Sequence, residues 1–319
     1  MNRTMVAAVL LACSFIVPSQ ARAADRVVAT FKPVHSLVSA VMAGVGQPYL
    51  LMRGSESPHT YRMRPSDAGV IGKARVIFMI GERTETTLVG PIRKLGRKVR
   101  VVELAEAPAL VRRPPRTGGA FEDDGHGHSH GHGHGHGRSR GLGKDDAFDM
   151  HVWLDPINAG WMTLAIARAL SETDPANAAK YDANADALIT RLEAFRAELD
   201  AELAPVRRKP FIVFHDAYQY FEKRFGLTAV GSAMVTAGRA PGVRRVRELR
   251  RKVRELGLVC VLAEPRYDPR FVKLITEGTA ARAGTIDPTG ITIKPGPEMY
   301  FSLLRNMAAS FKACLAPSG

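Results

Sequence analysis

Short apolar runs, each followed by a stretch with helical spacing, fill both halves of the chain. Residues 27–31 form the first run and lead into a helical pattern over 33–43. Further strand candidates lie at 49–52, 76–80 and 99–104, and RPSDAGVIGKA predicts a helix between two of them. In the second half, 211–214, 228–230, 259–263 and 284–286 repeat the arrangement. Helices are predicted there over 217–225, 243–256, 269–281 and 299–314. Strands alternating with helices imply parallel βαβ units. The expected fold class is α/β, with two similar domains, each a mostly parallel sheet flanked by helices.

Between the halves, Tyr181, Ala185, Leu188, Leu192, Phe195 and Leu199 recur at helical spacing, and Pro205 ends the run. One helix over 177–203 would span roughly 40 Å at about 1.5 Å per residue. It predicts a strut joining the domains, with a bent pair of packed helices as the alternative. The expected division is 24–175 for the first domain, 176–204 for the linking helix and 205–319 for the second domain.

The N-terminus changes the setting. Arg3 precedes an apolar stretch over 5–17, and Ala21-Arg22-Ala23 fits a small-residue cleavage site. Residues 1–23 are therefore expected to be a signal peptide, and the working protein to be periplasmic. The apolar run is too short for a membrane anchor. Cys13 offers a lipid-attachment alternative, although the apolar run before it is very short. With Cys13 removed, Cys260 and Cys314 remain, an even pair in an oxidising compartment. A disulfide is expected, against the alternative of two free buried thiols.

The formal charge of +14 raises nucleic acid or anionic membranes as partners. Losing Arg3 and Arg22 lowers it only to +12. Much of this charge lies on stretches such as VRRVRELRRKVRELG, where Val243, Val246, Leu249, Val253 and Leu256 form an apolar stripe. The basic face reads as solvated surface. With no aromatic interleaving and no nucleic-acid motif, no nucleic-acid partner is expected.

Histidine carries the candidate chemistry. His126, His128, His130, His132, His134 and His136 alternate with glycine or serine in one tract. Such a tract cannot bury apolar surface, so 118–145 is expected to be a disordered loop. Neutral imidazole binds zinc, copper and nickel, which makes the tract an accessory metal loop or a tolerated polar insertion. Four histidines remain: His35, His59, His151 and His215. His59, His151 and His215 each read as sitting at a strand-to-loop or strand-to-helix junction, where open α/β sheets bind ligands. His35 in FKPVHSLV reads as opening or capping a helix. Asp155 and Asp216 read as caps or as orienters of imidazoles, and Glu264 as a cleft-lining residue.

PHTYRMRPSD, MHVWLDP, FIVFHDAYQYFEKRFGL, CVLAEPRYDP and GTIDPTG resemble the zinc-binding periplasmic proteins of bacterial zinc ABC importers, the ZnuA-like family. The resemblance runs from about residue 27 to 315 and includes the His-rich acidic loop and the late cysteine pair. It implies two α/β domains joined by one rigid helix, with a metal cleft between them. It also implies His59, His151 and His215 as ligands of a transported Zn²⁺. Some relatives carry a glutamate just before the first histidine; here that position is Pro58. Asp287 aligns with the carboxylate that completes the site in manganese-type relatives. The fourth position would go to Asp287 or to water, and a plain turn role for Asp287 stays open.

Three imidazoles with water or one carboxylate suit tetrahedral zinc. Harder manganese prefers more oxygen. The expected function is capture of Zn²⁺ and delivery to an ABC permease, by a monomer with no enzymatic role. The alternatives are an exported zinc hydrolase with a His₃ site, a buffer using the loop alone, or a protein of the same fold for manganese or another metal. No HExxH spacing supports the hydrolase.

Overall fold

The computed structural model describes residues 26–96, 98–116, 121, 148–234 and 242–316. The proposed signal peptide and the six-histidine tract lie outside the described residues. The chain folds around two four-stranded parallel sheets. The first contains β1 (Val27–Ala29), β2 (Tyr49–Leu50), β3 (Val76–Met79) and β4 (Arg100–Glu103), in the order β2-β1-β3-β4. Its helices are α1 (Lys32–Val41), α2 (Pro65–Lys73), α3 (Thr86–Leu95) and α4 (Pro156–Thr173). Then comes α5 (Ala178–Leu203), 26 residues long, which joins the two halves as one continuous helix.

The second sheet contains β5 (Pro210–Val213), β6 (Thr228–Ser232), β7 (Cys260–Ala263) and β8 (Arg282–Thr285), in the order β6-β5-β7-β8. Helices α6 (Gln219–Phe225), α7 (Val243–Glu255), α8 (Arg270–Thr276) and α9 (Met299–Leu315) surround it. Both sheets thus have one topology, with a switch point beside the first strand of each. Among the described residues, no helix is long and apolar enough to cross a membrane.

The inner strands β1, β3, β5 and β7 are buried almost throughout, as covered parallel strands require. The linking helix buries Tyr181, Ala185, Leu188, Leu192, Phe195, Leu199 and Leu203, the stripe its periodicity predicts. That stripe packs with β5, α6 and α9 into one continuous core reaching from the first sheet to the second. A separate core, with Phe214, Leu249, Val253, Val261 and Ile275, lies under α7 and α8. The α7 stripe is shorter than its sequence predicts. Leu249 and Val253 are buried, whereas Val243 and Leu256, at its ends, are 69% and 50% exposed.

Cys260 of β7 and Cys314 of α9 form a disulfide, with Cα atoms 5.5 Å apart. Gly284 on the neighbouring strand makes room for it: a Cβ there would lie 2.9 Å from the Cys314 sulfur. Closing a loop with a sequence separation of 54 is worth about 4 kcal/mol in chain entropy.

Candidate metal centre

His59 lies on the irregular segment between β2 and α2, and its neighbours explain how that segment is fixed. Tyr61 is buried and donates its hydroxyl to Asp67 at 2.6 Å. Asp67 sits in the first turn of α2, where it also accepts the Arg64 amide (3.3 Å) and the Tyr49 hydroxyl (3.1 Å). A carboxylate there satisfies an amide that the helix leaves unbonded. The Thr87 hydroxyl holds the Tyr61 carbonyl from α3. Tyr61 and Asp67 therefore anchor the loop that carries His59.

His151 precedes a single 3₁₀ turn, Val152–Leu154, and is 3% exposed. Its Nδ1 lies 2.7 Å from Asp149 Oδ1, which also accepts the His151 amide at 3.0 Å. A carboxylate on Nδ1 directs the ring's Nε2 lone pair outward, the usual arrangement behind a metal-bound imidazole. Burial pushes Asp149 up to about 6, against the pull of the His151 amide and the nearby Arg116, His215 and Arg83. The turn itself is pinned on both sides. Asp155 caps α4 by accepting the Ile157 amide at 2.9 Å and receives a two-pronged bond from Arg224 at 2.8 and 2.7 Å. The Trp153 indole donates to the Pro288 carbonyl at 2.9 Å.

His215 follows β5 directly, in a short turn closed by the Ala217 amide on its carbonyl at 3.0 Å. Its Nδ1 is 3.3 Å from Glu264 Oε1, at the end of β7. Glu264 is 2% exposed and is steadied by the Tyr218 hydroxyl at 2.8 Å. So two of the three imidazoles have a buried carboxylate behind one ring nitrogen. The sequence marked Glu264 as cleft-lining but missed Asp149, although a carboxylate two residues before a candidate ligand was there to be read in DMH.

The three rings meet. Their centroids are 5.3 Å apart for His59 and His151, 5.8 Å for His59 and His215, and 4.9 Å for His151 and His215. One ring nitrogen from each lies within 4.8 Å of the other two. His59 Nε2 and His151 Nε2 are 3.3 Å apart. Two nitrogens at zinc-bonding distance on a tetrahedron are separated by about 3.3 Å. Two lone pairs cannot face each other at that distance without a proton or a cation between them. The rings enclose a cavity of about 10 Å³, also lined by Trp153, Glu264 and Tyr267. That is the room of one water or one bare ion. A recess of about 250 Å³, bordered by Glu56, His59, Arg266 and Tyr267, opens outside it.

Asp287 is not in this cluster. Its carboxylate accepts the Thr289 amide at 2.9 Å, the Thr289 hydroxyl at 3.1 Å, the Gly290 amide at 2.9 Å and the Ile291 amide. This is the turn role, the alternative to ligation. The same loop is held from the first sheet by Lys32, which donates to the Gly290 and Ile293 carbonyls, both at 3.0 Å, and to that of Ile291. His35 neither opens nor caps a helix. It lies inside α1, buried, with Nε2 3.2 Å from the Pro48 carbonyl, and burial lowers its pKa. Asp216 pairs with Arg116, which also bonds Glu222 at 2.8 Å. Burial opposes the Arg116 charge, but Glu222 and Asp216 outweigh it and hold its pKa above the ordinary value.

Residues 27–314 match the family described as "Zinc-uptake complex component A periplasmic". The chain belongs to that family. It is 47% identical to the high-affinity zinc uptake system protein ZnuA of Brucella suis over 307 residues, covering 92% of each chain. Against the Yersinia pestis protein of the same name it is 31% identical, over 98% of this chain and 96% of that one. A crystal structure of ZnuA superposes with a TM-score of 0.73 at 20% identity, covering 91% of this chain and 98% of that one. The solute-binding protein FpvC of Pseudomonas aeruginosa, in complex with Mn²⁺, gives a TM-score of 0.73 at 22% identity, over 91% and 98%. The fold therefore does not choose the metal; the donor atoms must.

Proposed function

We propose that this chain binds Zn²⁺ through His59, His151 and His215 and delivers it to the membrane permease of an ABC importer. Membership of the zinc-uptake family supports the transport role and the periplasmic setting. One observation carries the ligand assignment: the 3.3 Å separation of His59 Nε2 and His151 Nε2, with His215 closing a cavity the size of a single ion. Three neutral imidazoles match zinc better than manganese, which favours oxygen donors. With Asp287 engaged by its own loop, the fourth position goes to water.

Capture needs no covalent step. Asp149 and Glu264 hold two of the imidazoles by Nδ1, so that their Nε2 lone pairs face the cavity. His59, half-buried beside the outer recess, is the first ligand an arriving ion meets. Each imidazole binds only when neutral, so affinity falls as pH drops and the rings take up protons. The six-histidine tract is an accessory that collects zinc, and the protein works as a monomer.

Competition titration with a chromophoric zinc chelator tests this. Removing residues 125–137 leaves one tight site, whereas His59→Ala, His151→Ala and His215→Ala each weaken it. The losses should exceed the roughly 10–100-fold that follows removal of a residue behind a ligand. Unchanged affinity in all three variants refutes the assignment, and so does loss of the tight site on loop deletion alone.

A further inference from the structure

We propose that the outer face of α7 is a docking surface for an anionic phospholipid membrane. The helix carries six arginines and one lysine against two glutamates, a net charge of +5 on 13 residues. Arg244, Arg247, Arg251 and Arg254 are spaced by three, four and three residues, which stacks them in one stripe along the helix. All four are exposed, opposite the buried Leu249 and Val253. Among the described residues only Arg251 of the four has an ion-pair partner, Glu255 at 3.6 Å, and both side chains are mostly exposed. Arg244 also stands in the first turn, where a cation opposes the helix dipole. Helix stability therefore gives no reason for its placement.

One end of the stripe is apolar. Val243 opens the helix at 69% exposure, beside Arg244 and Arg247. A line of guanidinium groups with an apolar side chain at one end matches a lipid surface, with phosphates for the cations and the acyl boundary for the apolar group. Protein interfaces have the reverse anatomy, with charge depleted from the centre and placed at the rim. The occupant that fits is the anionic membrane. Such a contact would hold the second half of the molecule at the surface where a permease lies, and it does not depend on which metal the cleft holds.

Co-sedimentation of the purified, zinc-loaded protein with vesicles tests the proposal. We expect binding to phosphatidylglycerol–phosphatidylcholine vesicles, little to pure phosphatidylcholine, and a steep fall with added salt. Replacing Arg244, Arg247, Arg251 and Arg254 together by Gln should lower partitioning by about tenfold or more. Replacing Arg75, Lys94, Arg168 and Lys223, exposed cations elsewhere, should change it far less. Val243→Ser should give a smaller loss, and zinc affinity should stay unchanged in every variant. Absent binding, equal binding to both vesicles, or equal losses in the two four-residue variants would overturn the proposal. In the last case, net charge alone would account for the binding. Retained lipid binding in the α7 variant, with binding to an acidic protein partner lost, would overturn it in favour of a protein contact.

Discussion

The two sheets share one strand order, yet they serve the cleft in different ways. In the second sheet the ligand sits where topology places it, since His215 follows the end of β5 at once. The equivalent exit from β1 leads to Lys32, which binds no cleft atom and instead holds the Asp287 loop of the other half. The first sheet supplies its two histidines from long excursions. His59 lies nine residues beyond β2, and His151 lies after the whole segment that follows β4. Each is then fixed by polar contacts of its own, Tyr61 and Asp67 for one loop and Asp149 for the other. The second half is braced covalently, by the Cys260–Cys314 disulfide. A repeated scaffold therefore does not imply repeated ligand positions. On the first side hydrogen bonds fix the loops that carry the ligands, whereas on the second the strand end places His215 and Glu264 stands behind its ring.

Breaking the covalent brace gives the largest effect on this contrast. Cys260→Ser with Cys314→Ser should cost about 4 kcal/mol of stability, read as a lower denaturant midpoint, while zinc affinity changes little. A large affinity loss at temperatures where the variant is folded would show that the second half is not an independent frame. Asp149→Asn sharpens the other side. Zinc affinity should fall by roughly 10–100-fold, with a much smaller change in unfolding. Unaltered affinity would mean that the His151 ring needs no carboxylate behind it.

The smallest effect concerns Glu85, a fully buried acid beneath the first sheet's switch point. It accepts the Ile80 and Gly81 amides, each at 3.0 Å, and the Thr30 hydroxyl at 2.8 Å, and burial raises it to about 7. The folded state thus holds a proton that the unfolded chain releases near 4.5. Glu85 accordingly lowers stability progressively as pH rises from about 4.5 to about 7, with no further change above that. The difference in stability between the parent protein and Glu85→Gln should drift in this window in favour of the variant. A flat difference across the window contradicts the shift.

Much of this was legible in the chain. The eight strands, the linking helix and the convergence of three histidines followed from apolar periodicity and from a few specific segments. Other features were hidden for physical reasons. Helix α3 contains Gly90 and Pro91, residues that read as a break, yet Thr86–Leu95 is continuous. Helix α4 opens on Pro-Ile-Asn-Ala-Gly and gives little amphipathic signal because apolar Trp161 and Leu164 are exposed while polar Asn158 and Thr163 are buried. The shortened α7 stripe depends on where neighbouring elements end, which periodicity does not encode. Asp287 illustrates the same limit at the site. Its residue type suits a metal, but the amides of Thr289, Gly290 and Ile291 reach it first. The role of Arg116 depends on Asp216 and Glu222, groups brought close only by folding.

The most direct test of the three-histidine site is a crystal structure of the zinc-loaded protein with anomalous data collected at the zinc edge. A single strong peak is expected in the cleft, about 2.0–2.1 Å from one ring nitrogen each of His59, His151 and His215, with water as the fourth ligand. Asp287 should keep its backbone amides. A peak bonded to Asp287 in place of one of the histidines, or no peak between the three rings, would contradict the three-histidine site.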